Sequence, residues 1–257
     1  MTTDLTRRLA IYPMVEETDA SGIVAAVYSQ ILSRMPLVPS LFKSLAVCPA
    51  YLVVAWRQFE AVADRDEFGD AAEALHVSVA HEVPPPPPDA DVRDTVARFV
   101  EPLARMLLLS SGLHIALTDG LDGASADAAP PERVHATAQR SAPSQWQVDD
   151  AGVFGRIRMV LDTPIINSIW RELAERDQLQ RAWSHLEPGV PAALDAADRL
   201  QAAALETARQ VGWPAVADAA ALRQAGAADA APGIASILDA YVKTLPRVLV
   251  LVASSAE

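Results

Sequence analysis

The sequence predicts an all-α protein built from two tandem helical repeats that pair as a pseudo-twofold intrachain dimer. Three observations support this fold class: an internal repeat, an alanine-rich composition, and apolar residues at helical spacing. Apolar residues make up 51% of the chain and aromatic residues only 5%, which favours closely packed helices over β-sandwich layers. At 257 residues the chain is long enough for two half-domains that share an interface.

The repeat is clearest in a block of eleven residues that returns 128 positions later. Residues 36–46, PLVPSLFKSLA, reappear as residues 164–174, PIINSIWRELA, with four identities and five conservative exchanges. Further matches follow in the same order: Ala55-Trp56 with Ala182-Trp183, 70–75 with 195–200, and 99–109 with 241–251. A solenoid repeats every 20–50 residues or so. This pattern occurs only twice, and its two copies are separated by about half the length of the chain, which indicates a duplicated domain. We therefore predict repeat 1 at 1–118, a linker at 119–149 and repeat 2 at 150–257.

Apolar spacing and helix-ending residues predict the helices of each copy. Ser21 is the expected cap of the first helix, and Pro49 at a first-turn position opens the third. The predicted helices are 20–37, 40–46, 49–62, 70–79 and 91–116 in copy one, and 152–162, 167–175, 178–186, 192–212 and 234–254 in copy two. Five prolines at 84–88 predict a stiff polyproline II spacer. The segment from Trp213-Pro214 to Gly233, which copy one lacks, predicts a turn followed by a weak helix.

Charge and composition exclude several classes of partner. The net charge of −12 and the absence of a basic stripe argue against nucleic-acid binding. A single cysteine, Cys48, excludes an intrachain disulfide and is expected to be a buried thiol. The N-terminus lacks a secretory apolar stretch and no segment approaches the roughly 20 apolar residues of a membrane span, so we predict a cytoplasmic protein. The histidines are scattered, and no metal or other cofactor is predicted.

Most of the chain resembles a known enzyme family, with the similarity weak after residue 152. Residues 48–57, CPAYLVVAWR, together with Met35-Pro36 and the run Leu107-Leu108-Leu109, are similar to the group I 2-haloacid dehalogenases. The resemblance is strongest at 22–62 and 98–113. It implies an all-α fold of two repeats facing each other across a substrate tunnel. It also implies a carboxylate that activates water, which displaces halide directly from a saturated carbon.

The residues that the resemblance assigns to catalysis are not kept here. The water-activating aspartate of the family falls at Ile169, although the serine before it is retained as Ser168. The water-positioning asparagine falls near Leu103, and the aromatic pair that lines the tunnel falls at Leu37 and Ser40. No Asp or Glu lies between Thr163 and Trp170. The chain is thus identified as a divergent relative that lacks the catalytic Asp and Asn.

Three functions remain open on this evidence. A displacement enzyme needs no base when the nucleophile belongs to the substrate, so an SN2-type ring closure with loss of halide or sulfate, in specialised metabolism, stands first. Hydrolytic dehalogenation is the second, with Asp162 as the spare carboxylate. The third is a non-catalytic subunit that completes a partner's active site. A homodimer and an obligate heteromer are both left open, and the first two functions require a small-molecule substrate.

The predicted site lies at the seam of the two repeats, because pockets form preferentially where domains meet. Its candidate catalytic residues are Ser168, Asn167 and Asp162, and its candidate substrate-binding residues are Leu37, Ser40, Leu103, Ile169, Trp170 and Arg171. Each also has a structural interpretation. Ser168 is in place to cap a helix, Arg171 to carry a solvated charge, and Asp162 to occupy a turn. Trp170 is in place to fill a core, as are Trp56 and Trp183.

Overall fold

A computed structural model describes residues 13–82, 87–134 and 148–256 and confirms the all-α fold class. The α-helices of these residues are α1 (Gly22–Leu32), α2 (Ser40–Leu45), α3 (Pro49–Glu60), α4 (Asp66–Val77), α5 (Ala90–Thr118), α6 (Val148–Val160), α7 (Ser168–Glu175), α8 (Leu179–Leu186), α9 (Val190–Gln210), α10 (Ala219–Gln224) and α11 (Ala231–Val252). Short 3₁₀ helices lie at Ala80–Glu82, Glu187–Gly189, Ala228–Ala230 and Ala253–Ala256. Two short strands are β1 (Ala124–Ser125) and β2 (Ala215–Val216).

Most predicted helices are present, with shifted ends. The predicted helix 20–37 stops at Leu32, and a chain of turns and bends leads to α2. Ser21 occupies the N-cap of α1 as predicted, yet its hydroxyl makes no capping hydrogen bond. Helix α4 begins at Asp66, four residues before the predicted start. Its first turn holds two acidic side chains, which the positive end of the helix dipole stabilises.

The chain clusters into two compact units, each assembled from separate stretches of sequence. Unit 1 comprises Met1–Asp64, Gly112–Ser144 and Gly212–Asp239, and unit 2 comprises Arg65–Ser111, Gln145–Val211 and Ala240–Glu257. These boundaries do not coincide with the predicted halves at 1–118 and 150–257. The superposition of the two sequence repeats stays a prediction.

In unit 1, helix α3 packs against α1 and α2 on the copy-one side and against β2 and α10 of the later insertion. The insertion contains a helix, as predicted, but a bend and strand β2 precede it where a turn was expected. Its strand β2 pairs in parallel with β1, Ala124 opposite Ala215 and Ser125 opposite Val216. Strands of two residues carry no alternation, so the sequence pattern did not reveal them. Helix α10 is capped by Asp218, whose Oδ1 accepts a hydrogen bond from the Ala221 amide at 2.7 Å.

Part of the predicted linker is built into unit 1. The Ser29 hydroxyl donates to the Val134 carbonyl at 2.7 Å, and the Gln30 amide donates to the Glu132 carbonyl at 2.9 Å. The Ser125 hydroxyl bonds the Asp218 carboxylate. The described stretch 119–134 is therefore held by hydrogen bonds to α1 and to the insertion. Residues 135–147 of the linker and 84–86 of the proline run lie outside the described residues.

In unit 2, α8 packs against α6 and α7, and α9 packs against α4. The core of this unit is apolar and includes Ile157, Leu161, Leu173 and Leu200. Within the described residues, α5 is long and apolar enough to cross a bilayer, but 72% of its apolar window is buried inside the protein. A helix buried to that extent behaves as a core helix.

Candidate functional site

The start of helix α7 in unit 2 carries a buried amide side chain, Asn167. It occupies the N-cap position and is 1% exposed, yet its side chain makes no capping hydrogen bond. Both Oδ1 and Nδ2 of Asn167 are buried without a hydrogen-bond partner among the residues that the structure describes. Leaving a buried polar group unsatisfied costs about 1–3 kcal/mol, and a native protein seldom accepts this cost without a reason. Asn167 is therefore the first element of a candidate ligand site.

Two tryptophans next to Asn167 add unsatisfied donors. Trp170 lies one turn further along α7 and meets Trp183 of α8 edge to face, with ring centroids 5.7 Å apart and an interplanar angle of 89°. The Nε1 atoms of both indoles are buried and have no hydrogen-bond partner in the described part of the chain. An indole N–H can only donate, and a buried one usually finds an acceptor. The burial of both rings confirms their predicted core role. Packing alone does not satisfy the hydrogen-bonding capacity of their N–H groups.

The loop between α6 and α7 is held by side chains that sequence reasoning did not select. The Thr163 hydroxyl lies 2.7 Å from that of Thr244 on α11, and Thr163 Oγ1 accepts a hydrogen bond from the Ile165 amide at 3.1 Å. Arg247, also on α11, donates to the carbonyls of Leu161 and Asp162 at 2.6 and 2.7 Å. These bonds anchor the loop that ends at Asn167. The match between Arg105 and Arg247 in the two sequence repeats was the one sequence signal that pointed to these bonds.

The predicted catalytic residues have different environments. Ser168 is half-buried and is the first residue of α7, so the N-cap is Asn167 and not Ser168. Asp162 has a left-handed backbone with φ of 44°, and its side chain is 93% exposed, 3.6 Å from Arg247 Nη1. An exposed carboxylate in this position fits the turn interpretation and not that of a buried base. Ile169, at the position of the missing aspartate, is fully buried.

The predicted substrate-binding residues are divided between the units. Leu37 is half-buried in the bend before α2, and Ser40 is the buried first residue of α2, both in unit 1. Leu103 is buried on α5, and Trp170 and the half-buried Arg171 follow on α7, all in unit 2. Their convergence on one substrate stays a prediction.

Unit 1 contains an aromatic pair at the repeat-equivalent positions. Phe42 of α2 meets Trp56 of α3 with centroids 5.7 Å apart and an angle of 74°. Here the indole N–H is satisfied, because Trp56 Nε1 donates to Gln30 Oε1 at 2.7 Å. The two pairs thus share their ring geometry and differ in their hydrogen bonding.

Tyr51, Cys48 and Asp91 have shifted pKa values, and all three lie outside α7. In unit 1, burial raises the pKa of Tyr51 and of Cys48. In unit 2, Arg181 donates a hydrogen bond to Asp91 at 2.9 Å and lowers the pKa of that carboxyl group, with Gln178 as a second donor at 3.2 Å. Within the described residues, no group of three His, Cys, Asp or Glu side chains is placed to hold a metal ion.

Comparison with known proteins gives a fold and no sequence relative. No family model and no curated protein sequence matches the chain. Among solved structures, a D-2-haloacid dehalogenase mutant aligns with a TM-score of 0.77 and 20% identity, covering 96% of this chain and 95% of that one. The complex of D-2-haloacid dehalogenase with L-LA aligns with a TM-score of 0.75 and 19% identity, covering 96% of each chain. A complex of a D-2-haloacid dehalogenase mutant with D-2-CPA aligns with a TM-score of 0.77 and 19% identity, covering 96% of this chain and 95% of that one.

The class that these findings define is a helical, dehalogenase-like fold. The chain has the fold of the D-2-haloacid dehalogenases over nearly its whole length. At this level of identity the likeness concerns the fold alone, so the chemistry has to be argued from the residues around α7.

Proposed function

We propose that this protein catalyses displacement of an anionic leaving group at a saturated carbon, with a nucleophile that belongs to the substrate. One observation carries the proposal. The position where the resemblance puts the water-activating carboxylate holds Ile169, which is fully buried, and no Asp or Glu lies between Thr163 and Trp170. The polar side chains at this helix start are neutral, the Asn167 amide and the Ser168 hydroxyl. Neutral groups orient a substrate and hold its leaving group, but they are poor bases for water.

In this reaction a substrate amine closes a ring. The lone pair of the neutral amine forms the new C–N bond, the bond from carbon to the leaving group breaks with its electron pair, and the proton of the resulting ammonium passes to water. Vicinal amino halides or amino sulfates are the substrate class. The rate gain comes from holding nitrogen, carbon and leaving group in line, an effect that reaches roughly 7–11 kcal/mol in well-oriented intramolecular systems.

Hydrolytic 2-haloacid dehalogenation is the second candidate, and the shared fold favours it. It requires a base for water, and the spare carboxylate of Asp162 is 93% exposed. The non-catalytic subunit remains the third reading, as do a homodimer or heteromer and a cytoplasmic location. Specialised metabolism is the context that we propose for the ring closure.

The deciding experiment compares three compounds in H₂¹⁸O. We expect purified protein to release chloride from 3-chloroalanine, a vicinal amino chloride, and to give a cyclic product without ¹⁸O. N-Acetyl-3-chloroalanine, which lacks the nucleophilic lone pair, is the matched control and should be inert. Steady chloride release from 2-chloropropionate with ¹⁸O in the product would instead establish hydrolysis. No release from any of the three would contradict both catalytic functions and favour the subunit role.

The residues at α7 are tested by substitution. We expect Asn167→Ala and Ser168→Ala each to lower turnover more than about tenfold, roughly 1.4 kcal/mol in the barrier. The control is Pro39→Ala at the repeat-equivalent position of Asn167. It should leave turnover unchanged, since proline offers no side-chain hydrogen bond. Unchanged turnover with a lowered melting temperature in the Asn167 and Ser168 variants would show that both residues serve only the fold.

A further inference from the structure

We propose that the indole N–H groups of Trp170 and Trp183, together with the Asn167 amide, form a binding site for a small inorganic anion in unit 2. The inference rests on the proposed function, because the anion would be the departing halide or sulfate. All three side chains are 3% exposed or less, and all three carry a buried donor that meets no acceptor among the described residues. Asn167 and Trp170 share the first turn of α7, and Trp183 contacts Trp170.

The copy-one counterparts show that these donors are not a general requirement of the fold. The residue 128 positions before Asn167 is Pro39, and the one before Trp170 is Phe42. Neither carries a side-chain hydrogen-bond donor. Where copy one does have an indole, at Trp56, its N–H is satisfied by Gln30. The same aromatic packing is thus achieved in unit 1 without an unsatisfied donor.

The sequence offers no second glutamine at the matching offset. The residue 128 positions after Gln30 is Arg158, which is exposed on α6. The Trp183 N–H meets no acceptor among the described residues. Burying donors without acceptors lowers the stability of a protein. Such a cost is recovered when a ligand supplies the acceptor.

The chemistry of the three groups selects an anion. Two of the groups are indoles, which donate and cannot accept, and the third adds an amide N–H. Hydrogen bonds from buried neutral donors to an anion are strengthened by the low dielectric around them. A leaving group acquires negative charge during displacement, so donors aimed at it favour the transition state over the neutral ground state. The remaining atom, Asn167 Oδ1, is an acceptor and suits the N–H of the substrate amine.

The indole N–H signals provide a direct test that does not depend on activity. The chain has five tryptophans, and each indole resonance can be assigned with a Trp→Phe variant in ¹⁵N-labelled protein. Chloride, bromide and sulfate are titrated separately to about 0.1 M at constant ionic strength, with a large weakly coordinating anion as the balancing salt. We expect saturable shifts at Trp170 and Trp183 with at least one of these anions and no saturable shift at Trp56.

Calorimetry on the variants then measures the contribution of each group. We expect Trp170→Phe, Trp183→Phe and Asn167→Leu each to weaken anion binding at least about tenfold, or 1.4 kcal/mol. Trp56→Phe removes a comparable indole ring whose N–H is already bonded to Gln30. The affinity of this variant for the anion should therefore equal that of the unchanged protein. If a variant fails to fold, the indole shifts of the unchanged protein still decide.

Two results would overturn the inference: no saturable shift at Trp170 and Trp183 with any of the three anions, or an equal shift at Trp56. Buried water on the donors would give the first result. The inference and the proposed function fail separately. Anion binding without ring closure on amino halides would contradict the proposed reaction and keep the anion site. Ring closure without anion-dependent shifts would keep the reaction and remove the site.

Discussion

The aromatic pairs of the two units differ in how their polar atoms are treated. In unit 1, Phe42 and Trp56 pack at 5.7 Å, and the one indole N–H donates to Gln30. In unit 2, Trp170 and Trp183 also pack at 5.7 Å, and both indole N–H groups are buried without a partner among the residues described. Apolar packing accounts for both pairs. Only the pair of unit 2 carries polar groups that packing does not explain.

The comparison teaches where to look for function in a chain whose sequence repeats. A structural role requires an aromatic ring at the same place in both sequence repeats, and Phe42 and Trp170 provide it. A ligand role requires polar groups in one copy that the other lacks, such as Asn167 where copy one has Pro39. The difference between the copies is therefore more informative about chemistry than their similarity, which reports on the fold.

The largest effect should come from removing the shared rings. Phe42 and Trp170 are both fully buried, so Phe42→Ala and Trp170→Ala should each lower the free energy of unfolding by about 3–5 kcal/mol. Denaturant unfolding measures both. Similar losses would support equivalent environments, whereas a near-neutral change in one of them would break the comparison.

A smaller difference should separate the two repeated arginines. Arg247 donates to two carbonyls at the end of α6, so Arg247→Gln should cost about 2 kcal/mol of unfolding free energy. Its repeat equivalent, Arg105, lies over the Phe68 ring with Cζ 5.7 Å from the centroid and pairs with Glu101 at 3.5 Å. Because that ion pair is partly exposed, Arg105→Gln should cost less than about 1 kcal/mol. Equal losses of unfolding free energy would show that the bonds from Arg247 to the α6–α7 loop do not stabilise the protein more than the contacts of Arg105.

The smallest effect is a loss of stability at alkaline pH that originates from Tyr51 in unit 1. Burial raises the pKa of Tyr51 above that of the unfolded chain, near 10, so the folded state keeps the proton that the unfolded state loses. Its contribution to stability is fully present below pH 10 and decreases as the pH rises beyond that value. At pH 10.5 this loss should be about 1 kcal/mol and should be absent in Tyr51→Phe.

The matched control for this pH effect is Gln178, which occupies the equivalent place in copy two and does not titrate. Unfolding curves at pH 8 and 10.5 should show the same alkaline loss in Gln178→Leu as in the unchanged protein. If Tyr51→Phe lost as much unfolding free energy between pH 8 and 10.5 as the unchanged protein, the effect would belong to other groups.

Much of the fold could be predicted from residue pattern. Pro49 placed the start of α3 and the repeated block placed α2 and α7, because proline stops and apolar spacing act locally. Strands β1 and β2 could not be predicted, since each is two residues long and is defined by its partner. The candidate site was predicted in part. Asn167 and Trp170 were selected, while Trp183 was assigned to the core alone and Thr163 and Thr244 were not selected at all.

The sequence by itself determined the helical class, the two-copy pattern and the absence of a carboxylate between Thr163 and Trp170. These depend on residue type and spacing along the chain, which are local properties. The tertiary structure decided which polar atoms find a partner. Gln30 accepts a hydrogen bond from Trp56, whereas Trp183, Trp170 and Asn167 have no partner within the described ranges. It also exposed Asp162 to solvent. Hydrogen bonding and burial depend on groups brought together from distant parts of the chain, and residue spacing alone carries no record of them.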